Sequence, residues 1–448
     1  MVELRPYQTQ AVDDLRTAYC AGHEGAILEL GTGAGKTVSA MAVVAGVWQG
    51  RGSVLWLAHR RELVDQAREC AVSLGLQPML DCGKLRMCTV QGSGWRGMEP
   101  DPTVLVIDEG HRALAASYRA VIAAYSLAFR VLLTGTAWRS DGGDFSAVAP
   151  VTVRGPSIGE LTDAGWLVPA AYWSVPGADL SGLRVQRGEF KPADVAAAMD
   201  RPQLVGDVAA TLLRLAPGRR GVVFCAGVEH ALHVAEALVA AGVDAAAVHG
   251  GTKPTERKAL LAAHRAGSLQ VLCNADLLIE GWDNPAVSVV SVARATASNI
   301  VWRQAVGRGL RPAEGKADCV VIDHGGNCAR LGLVAEALEY EAGGGGARGR
   351  SDGLSLLTCD KCFAVLPSKP RPASCPRCFA LIAAPAGRKV EQVAGELVPF
   401  DGKAARRGPV DWNLWRRIDA ERERKGYRAG WTWTQYAIRS EVGSWATA

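Results

Sequence analysis

The 448-residue chain has no run of about 18 consecutive apolar residues, the length a membrane-spanning helix needs. Its opening, MVELRPYQTQ, lacks the apolar core of a secretory signal, so a cytoplasmic location is expected. No internal repeat recurs at a fixed period. Eight of the twelve cysteines are scattered without framework spacing, which argues against a disulfide scaffold and for reduced thiols in a reducing compartment. A chain that is 48% hydrophobic and 21% charged is not mainly disordered, and it can bury sizeable cores. The net charge of +5 is small, but it is unevenly placed: from Arg348 onward there are 18 Lys/Arg against 10 Asp/Glu, and the preceding residues are slightly acidic. A basic tail is compatible with a polyanionic partner or with a plain solvated surface.

This length suggests two full domains and smaller pieces. Through the first 340 or so residues, apolar runs of four to six residues alternate with longer amphipathic stretches, the pattern of parallel sheets flanked by helices. Strands are predicted at 26–30, 54–58, 104–108 and 131–134, then at 222–225, 271–274, 287–292 and 319–323. The less regular, Pro- and Gly-richer stretch 151–220 reads as the connection between two α/β lobes, with helices at 193–199 and 204–215. The resulting division is a first lobe over 1–168, a connection over 169–220 and a second lobe over 221–342. A glycine-rich linker over 343–354, a cysteine-bearing module over 355–384 and a basic Trp-rich segment over 385–448 complete it.

The strand at 26–30 runs straight into Gly31-Thr32-Gly33-Ala34-Gly35-Lys36-Thr37 and then into a helical pattern. Glycines there let backbone N–H groups and a helix N-terminus wrap phosphate oxygens. Lys36 is expected to reach the β- and γ-phosphates of ATP, and the Thr37 hydroxyl to hold Mg²⁺. The apolar strand 104–107 ends in Asp108-Glu109-Gly110-His111, placing two carboxylates where open α/β sheets bind ligands. Asp108 suits Mg²⁺, and Glu109 suits activation of the attacking water.

In order and spacing these motifs resemble the superfamily 2 helicases and translocases. The likeness is to the DEAD/DEAH-box group with the type III restriction motors and the XPB-like and phage-encoded helicases, over about residues 3–327. The resemblance implies two tandem RecA-like lobes with an ATP cleft between them. Asp108-Glu-Gly-His111 is similar to the DEAH box with Gly110 in place of Ala. Arg5 and Gln8 resemble the adenine-reading element, with the Gln amide suited to pair bidentately with adenine. Residues 58–63, AHRREL, and 89–91, TVQ, resemble elements that face the nucleic-acid backbone, which singles out Arg60, Arg61, Thr89 and Gln91. Thr134-Gly-Thr136 stands at the coupling motif, with Thr136 expected on the nucleic-acid side and Arg139 just beyond. Segment 274–283, NADLLIEGWD, resembles motif V and brings in Asn274 on the nucleic-acid side and Gly281 and Asp283 on the nucleotide side. Residues 304–311, QAVGRGLR, match motif VI in full, giving Gln304, Arg308 and Arg311. The two arginines lie at i and i+3 on one helical face, able to stabilise charge on a transferring phosphoryl group.

Cys359-x-x-Cys362 and Cys375-x-x-Cys378 form two knuckles twelve residues apart, a spacing that suits a tetrahedral zinc ribbon with a structural role. Disulfides and an iron–sulfur cluster are the alternatives. Lys361, Lys369, Arg371 and Arg377 decorate the module and are compatible with a nucleic-acid contact. The tail tryptophans, Trp412, Trp415, Trp431, Trp433 and Trp445, could stack on bases or simply form the core of a small helical module. Of the histidines, His111 and His249 are expected nearest the cleft, with no ligand role assigned to His249. The activity expected is ATP hydrolysis coupled to movement along nucleic acid, DNA in preference to RNA, with replication, repair or restriction proteins as partners. No nuclease constellation is apparent in the last 120 or so residues, so cleavage would need another chain.

Overall fold

The computed structural model describes residues 3–136, 144–174, 183–186, 188–336 and 356–382, all within one compact unit. Arg139, the glycine linker and the Trp-rich tail lie outside the described residues.

The first lobe is a six-stranded sheet of β1 (Gly25–Glu29), β2 (Val54–Ala58), β3 (Leu85–Thr89), β4 (Val104–Ile107), β5 (Phe129–Thr134) and β6 (Val151–Arg154). Its order is β3-β2-β4-β5-β1-β6. All pairings are parallel. Because helices cover both faces, the interior strands β2, β4 and β5 are buried along their whole length, which is why they are written as uninterrupted apolar runs.

A strand of the second lobe comes next, β7 (Ala170–Ser174), followed by a small hairpin of β8 (Val185–Gln186) and β9 (Glu189–Phe190) and the helices Pro192–Met199 and Pro202–Leu215. Then come β10 (Gly221–Cys225), β11 (Ala245–Val248), β12 (Val271–Asn274), β13 (Val289–Ala293) and β14 (Cys319–Asp323). The order in the second sheet is β11-β12-β10-β13-β14-β7, again parallel throughout. The stretch expected to be only a connection therefore supplies a strand to each sheet, β6 to the first and β7 to the second. The chain crosses between lobes over 155–169, through the helix Ile158–Asp163, whose Ser157/Glu160 capping box satisfies its first N–H groups.

The cysteine module adds an antiparallel pair, β15 (Leu356–Thr358) and β16 (Val365–Pro367). It packs on the outer edge of the second sheet, where Trp173 bridges Ala364 and the Ser174 N–H donates to the Phe363 carbonyl at 3.0 Å. Cys359, Ala364, Leu366 and Cys375 share one buried cluster with Trp173, Val208 and Leu212. Among the described residues no helix is long and apolar enough to cross a membrane.

Candidate active site

The end of β1 delivers the phosphate loop. Gly33 (φ 90°) and Gly35 (φ 83°) both adopt left-handed backbone that a side chain would strain. A Cβ on Gly33 would stand 3.1 Å from Leu167 Cδ2, and one on Gly35 would collide with the Gln8 amide. The helix Lys36–Gln49 starts directly after, so Thr37 lies in its first turn beside unpaired N–H groups. The Lys36 ammonium donates to the Leu30 carbonyl at 3.1 Å. Burial lowers its pKa, and the nearby Glu109 and Asp108 carboxylates oppose that shift.

Gln8 lies in the first turn of the helix Pro6–Cys20, but its amide is turned to the loop itself. Its Nε2 donates to the Ala34 carbonyl at 3.1 Å, and its Oε1 accepts the Arg5 N–H at 3.0 Å. Tyr7 donates to the same Ala34 carbonyl at 2.9 Å, and the Arg5 guanidinium lies 4.8 Å from the Trp166 ring centroid. Both amide atoms, expected to read adenine, are held within the protein here. Each is already engaged with the chain's own backbone, so Gln8 braces the phosphate loop and Arg5 stacks on Trp166.

The acidic pair emerges from β4. Glu109 takes the left-handed region (φ 50°), unusual for a residue with a side chain, and its N–H donates to Asp108 Oδ1 at 2.9 Å. Burial, with Glu109 adjacent, pushes Asp108 up to about 7 although Lys36 pulls the other way. Glu109 is also desolvated, yet the hydrogen bond from His111 and the Lys36 charge bring its pKa down. The two carboxylates are therefore shifted in opposite directions, Asp108 up and Glu109 down. His111 Nδ1 lies 3.4 Å from Glu109 Oε2.

The second lobe closes directly on these groups. Gln304 Nε2 donates to Glu109 Oε2 at 3.1 Å. A Cβ on Gly307 would lie 2.5 Å from Thr32 Cβ, so the backbone of the helix Asn299–Gly307 rests on the phosphate loop. Arg308 and Arg311 both lie close enough to act on the Lys36 charge, and Arg311 Cγ is 3.5 Å from where a Gly33 Cβ would stand. Their guanidinium groups are held on their own lobe, Arg308 on the Ile279 and Trp282 carbonyls and Arg311 on Asp283. Burial lowers the pKa of each, Arg311 to about 10. Beside the junction a cavity of about 270 Å³ is lined by Gly31, Thr32, Gly135 and Thr136 of the first lobe and Arg303 and Gln304 of the second.

The residues expected on the nucleic-acid side divide. Arg60 and Thr89 are half-buried, and Arg61 and Gln91 are exposed, on the loops and helix start that follow β2 and β3. Thr136 and Asn274 are instead buried. Thr136 exchanges backbone contacts with the Thr134 hydroxyl, while Asn274 spans β12 and its loop by donating to the Val223 carbonyl and accepting the Leu278 N–H, at 3.0 and 3.1 Å. The Asn274 side chain is engaged within the fold, whereas Thr136 lines the cavity beside the junction. His249 accepts the Gly251 N–H at 3.2 Å and has no part in the cleft contacts. Glu280 was not singled out by sequence. It sits 2.8 Å from His59 Nε2 and 3.4 Å from Arg112 of the opposite lobe, and no local signal marks those partners.

The four cysteine sulfurs of the ribbon all lie within 4.8 Å of one another, with Cys359–Cys378 at 3.7 Å and Cys362–Cys375 at 3.6 Å. A tetrahedral ZnS₄ centre with bonds of about 2.3 Å needs sulfurs about 3.8 Å apart, so the donor set fits zinc. Each knuckle ends in a Phe in left-handed backbone, Phe363 and Phe379, whose N–H donates to the first Cys of its knuckle at 2.8 Å. Arg377 stands 5.4 Å from the Trp173 ring and Arg214 5.7 Å from the Phe363 ring, so these two cations serve the docking of the ribbon.

Comparison with known proteins follows the same division. Residues 1–82 match the family described as "Type III restriction enzyme, res subunit", and residues 206–313 the "Helicase conserved C-terminal domain". A 51.5 kDa protein of Lactococcus phage (isolate 7-9) is 29% identical over 75% of this chain and 74% of its own length. A candidate mitochondrial ATP-dependent helicase, irc3 of Schizosaccharomyces pombe, is 29% identical over 74% of this chain, which spans 59% of that relative. Among solved structures, a fragment of a candidate HsdR subunit of a type I restriction enzyme from Vibrio vulnificus has the same fold. It aligns with a TM-score of 0.59 at 20% identity, over 73% of this chain and 65% of that one. Together with the motifs assembled at the lobe junction, these matches support a superfamily 2 helicase of the restriction-motor type.

Proposed function

We propose that the chain is an ATP-hydrolysing motor that moves along the phosphate backbone of nucleic acid, DNA in preference to RNA. The observation that carries this reading is the junction itself. Lys36, Asp108 and Glu109 of one lobe lie within electrostatic reach of Arg308 and Arg311 of the other, with Gln304 hydrogen-bonded across to Glu109. The family matches imply ATP hydrolysis. In the proposed mechanism Gly31, Thr32, Gly33 and Gly35 cradle phosphate oxygens, Lys36 takes the γ-phosphate side, and Thr37 with Asp108 would hold Mg²⁺, which neutralises phosphate charge when bound. Glu109, its pKa drawn down by His111 and Lys36, orients and deprotonates the attacking water. Arg308 and Arg311 turn from the carbonyls and carboxylate that now hold them toward the charge that develops in the cleft; such guanidinium groups contribute ~10³ to 10⁵ in rate. Arg60, Arg61 and Gln91 grip the backbone outside the cleft, so stepping does not depend on sequence. The ribbon would hold a structural Zn²⁺.

A motor role inside a restriction or defence complex is the second reading. It is favoured by relatives such as the EcoAI type I restriction endonuclease subunit of Escherichia coli, 24% identical over 52% of this chain. In that setting a separate nuclease would cut. The test is ATP turnover titrated with single-stranded, duplex and forked DNA and with RNA at two salt concentrations. Stimulation by DNA that weakens with salt is expected. Equal turnover with and without every nucleic acid would reject the motor reading.

A further inference from the structure

One loop of the second lobe touches both halves of the proposed machine. On one side, the carbonyls of Ile279 and Trp282 hold the Arg308 guanidinium, and Asp283 holds Arg311. On its other side, Gly281 (φ 68°) is pressed so closely on the helix Arg61–Ser73 that a Cβ would stand 2.9 Å from Leu63 Cδ2. Between these contacts Glu280 reaches into the first lobe. Its carboxylate is 9% exposed and lies 2.8 Å from the ring of His59, itself 8% exposed, and 3.4 Å from Arg112. His59 directly precedes Arg60 and Arg61, and Arg112 directly follows the acidic turn. The fit is close but not saturated: His59 Nδ1, Arg112 Nε and Glu280 Oε2 are buried without an aligned hydrogen bond. A buried carboxylate that finds both its partners across a lobe boundary is satisfied only when the lobes are together, so it favours closure in proportion to how well His59 and Arg112 are placed.

We propose that Glu280 is a positioning residue that links the His59–Leu63 segment to the placement of Arg308, so that nucleic acid held at that segment and nucleotide held in the cleft strengthen each other's binding. The proposal rests on the motor reading. It deepens that reading by naming the contact through which the two ligands communicate. Glu280 acts through the loop 279–283, whose other residues hold Arg308 and Arg311.

The test is linkage, measured as the affinity for oligo(dT) and for a blunt DNA duplex with and without a non-hydrolysable ATP analogue. In the parent protein the analogue should change DNA affinity by a factor within roughly 5 to 150, the ordinary span of coupling between sites. In Glu280→Gln, which keeps the side chain's shape, that factor should fall toward one. His59→Ala should lower the factor too, and the double variant should be no worse than Glu280→Gln alone, because the second change removes a contact the first has already broken. A residue with a merely structural role would lower the melting temperature and weaken both ligands without changing the factor. Should Glu280→Ala fail to fold, Glu280→Gln and His59→Ala still decide the matter. An unchanged factor in those variants, or additive losses in the double variant, overturns the proposal. A parent protein whose DNA affinity ignores the analogue and whose turnover ignores DNA removes the motor reading as well.

Discussion

Restoring alanine at Gly110, the residue that the resembling DEAH boxes carry, should damage this protein. A Cβ on Gly110 would stand 2.8 Å from Leu132 Cβ and 3.2 Å from both the Cα and the carbonyl carbon of Leu132. None of these is the free end of a flexible side chain. Leu132 is 1% exposed and sits in the middle of β5, paired with Ile27 of β1 on one side and Ile107 of β4 on the other, so it has nowhere to retreat. Ordinary contact begins near 3.4 Å, so the acidic turn would have to lift by about 0.6 Å. Overpacking of this kind costs about 1–3 kcal/mol. A Gly→Ala change returns about 0.4–1 kcal/mol through the unfolded chain, which leaves a net loss near 1–2 kcal/mol. Catalysis should suffer more than stability, because the turn that lifts carries Asp108 and Glu109. A displacement approaching 1 Å at reacting groups can cost ~100-fold, so turnover lower by about tenfold or more is expected. Thermal melts and DNA-stimulated ATP turnover of the Gly110→Ala variant measure both effects. If the variant melts and turns over like its parent, the close approach of this turn to β5 is not what keeps glycine here.

Three further outcomes are expected. Lys36→Ala should lower ATP turnover by about 100-fold or more, since it removes the cation that faces the developing phosphate charge, while the melting temperature changes little. Stripping zinc with a chelator, or Cys375→Ser, should lower the melting temperature of the second lobe as well as unfold the ribbon, because Cys359 and Cys375 lie in the same buried cluster as Trp173 and Leu212. Elemental analysis should return about one zinc per chain before treatment, and a metal-free protein with an unchanged melt would refute the assignment. The second lobe should also be acid-sensitive. Burial holds His230 and His264 down to about 4 and His324 to about 3, so all three are neutral when folded and take up protons when unfolded. The unfolded chain therefore binds more protons between the ordinary histidine range and pH 4. Stability present above that range is lost as pH falls through it, by up to about 1.4 kcal/mol per group for each unit. Melts between pH 7 and 5 that show no decline would contradict this.

The strands that sequence revealed and those it hid divide by position in the sheet. The eight predicted strands correspond to β1, β2, β4, β5, β10, β12, β13 and β14, all interior. The four it missed in these two sheets are β3, β6, β7 and β11, the two edges of each. An interior parallel strand is covered above, below and on both sides, so it must be a continuous apolar run; an edge strand is relieved of that demand. Thus β3 reads LRMCT and β6 reads VTVR, each with partial exposure, while β11 is the alanine-rich AAAV and β7 begins on two half-buried alanines. What made 151–220 look like mere connection was its irregular, Pro- and Gly-richer sequence, in which the short edge strands β6 and β7 do not stand out.

The same reasoning separates the site residues that motif spacing placed well from those it did not. Lys36, Asp108, Glu109 and Gln304 meet because each is fixed by a local device: a glycine-built loop at a strand end, an acidic turn at a strand end, or a helix start capped by Ser298. Local devices are written in consecutive residues. Whether Gln8 or Asn274 points outward or into the fold is decided by carbonyls and N–H groups of other segments, such as Ala34 for Gln8 and Val223 for Asn274. A polar letter at a motif position is equally consistent with either role. Glu280 is the limiting case, since its partners lie 221 and 168 positions away and only the closing of two lobes makes them neighbours. A motor needs such residues: a contact that forms on closure and breaks on opening cannot be local, because a local contact would persist in both states and carry no information about either.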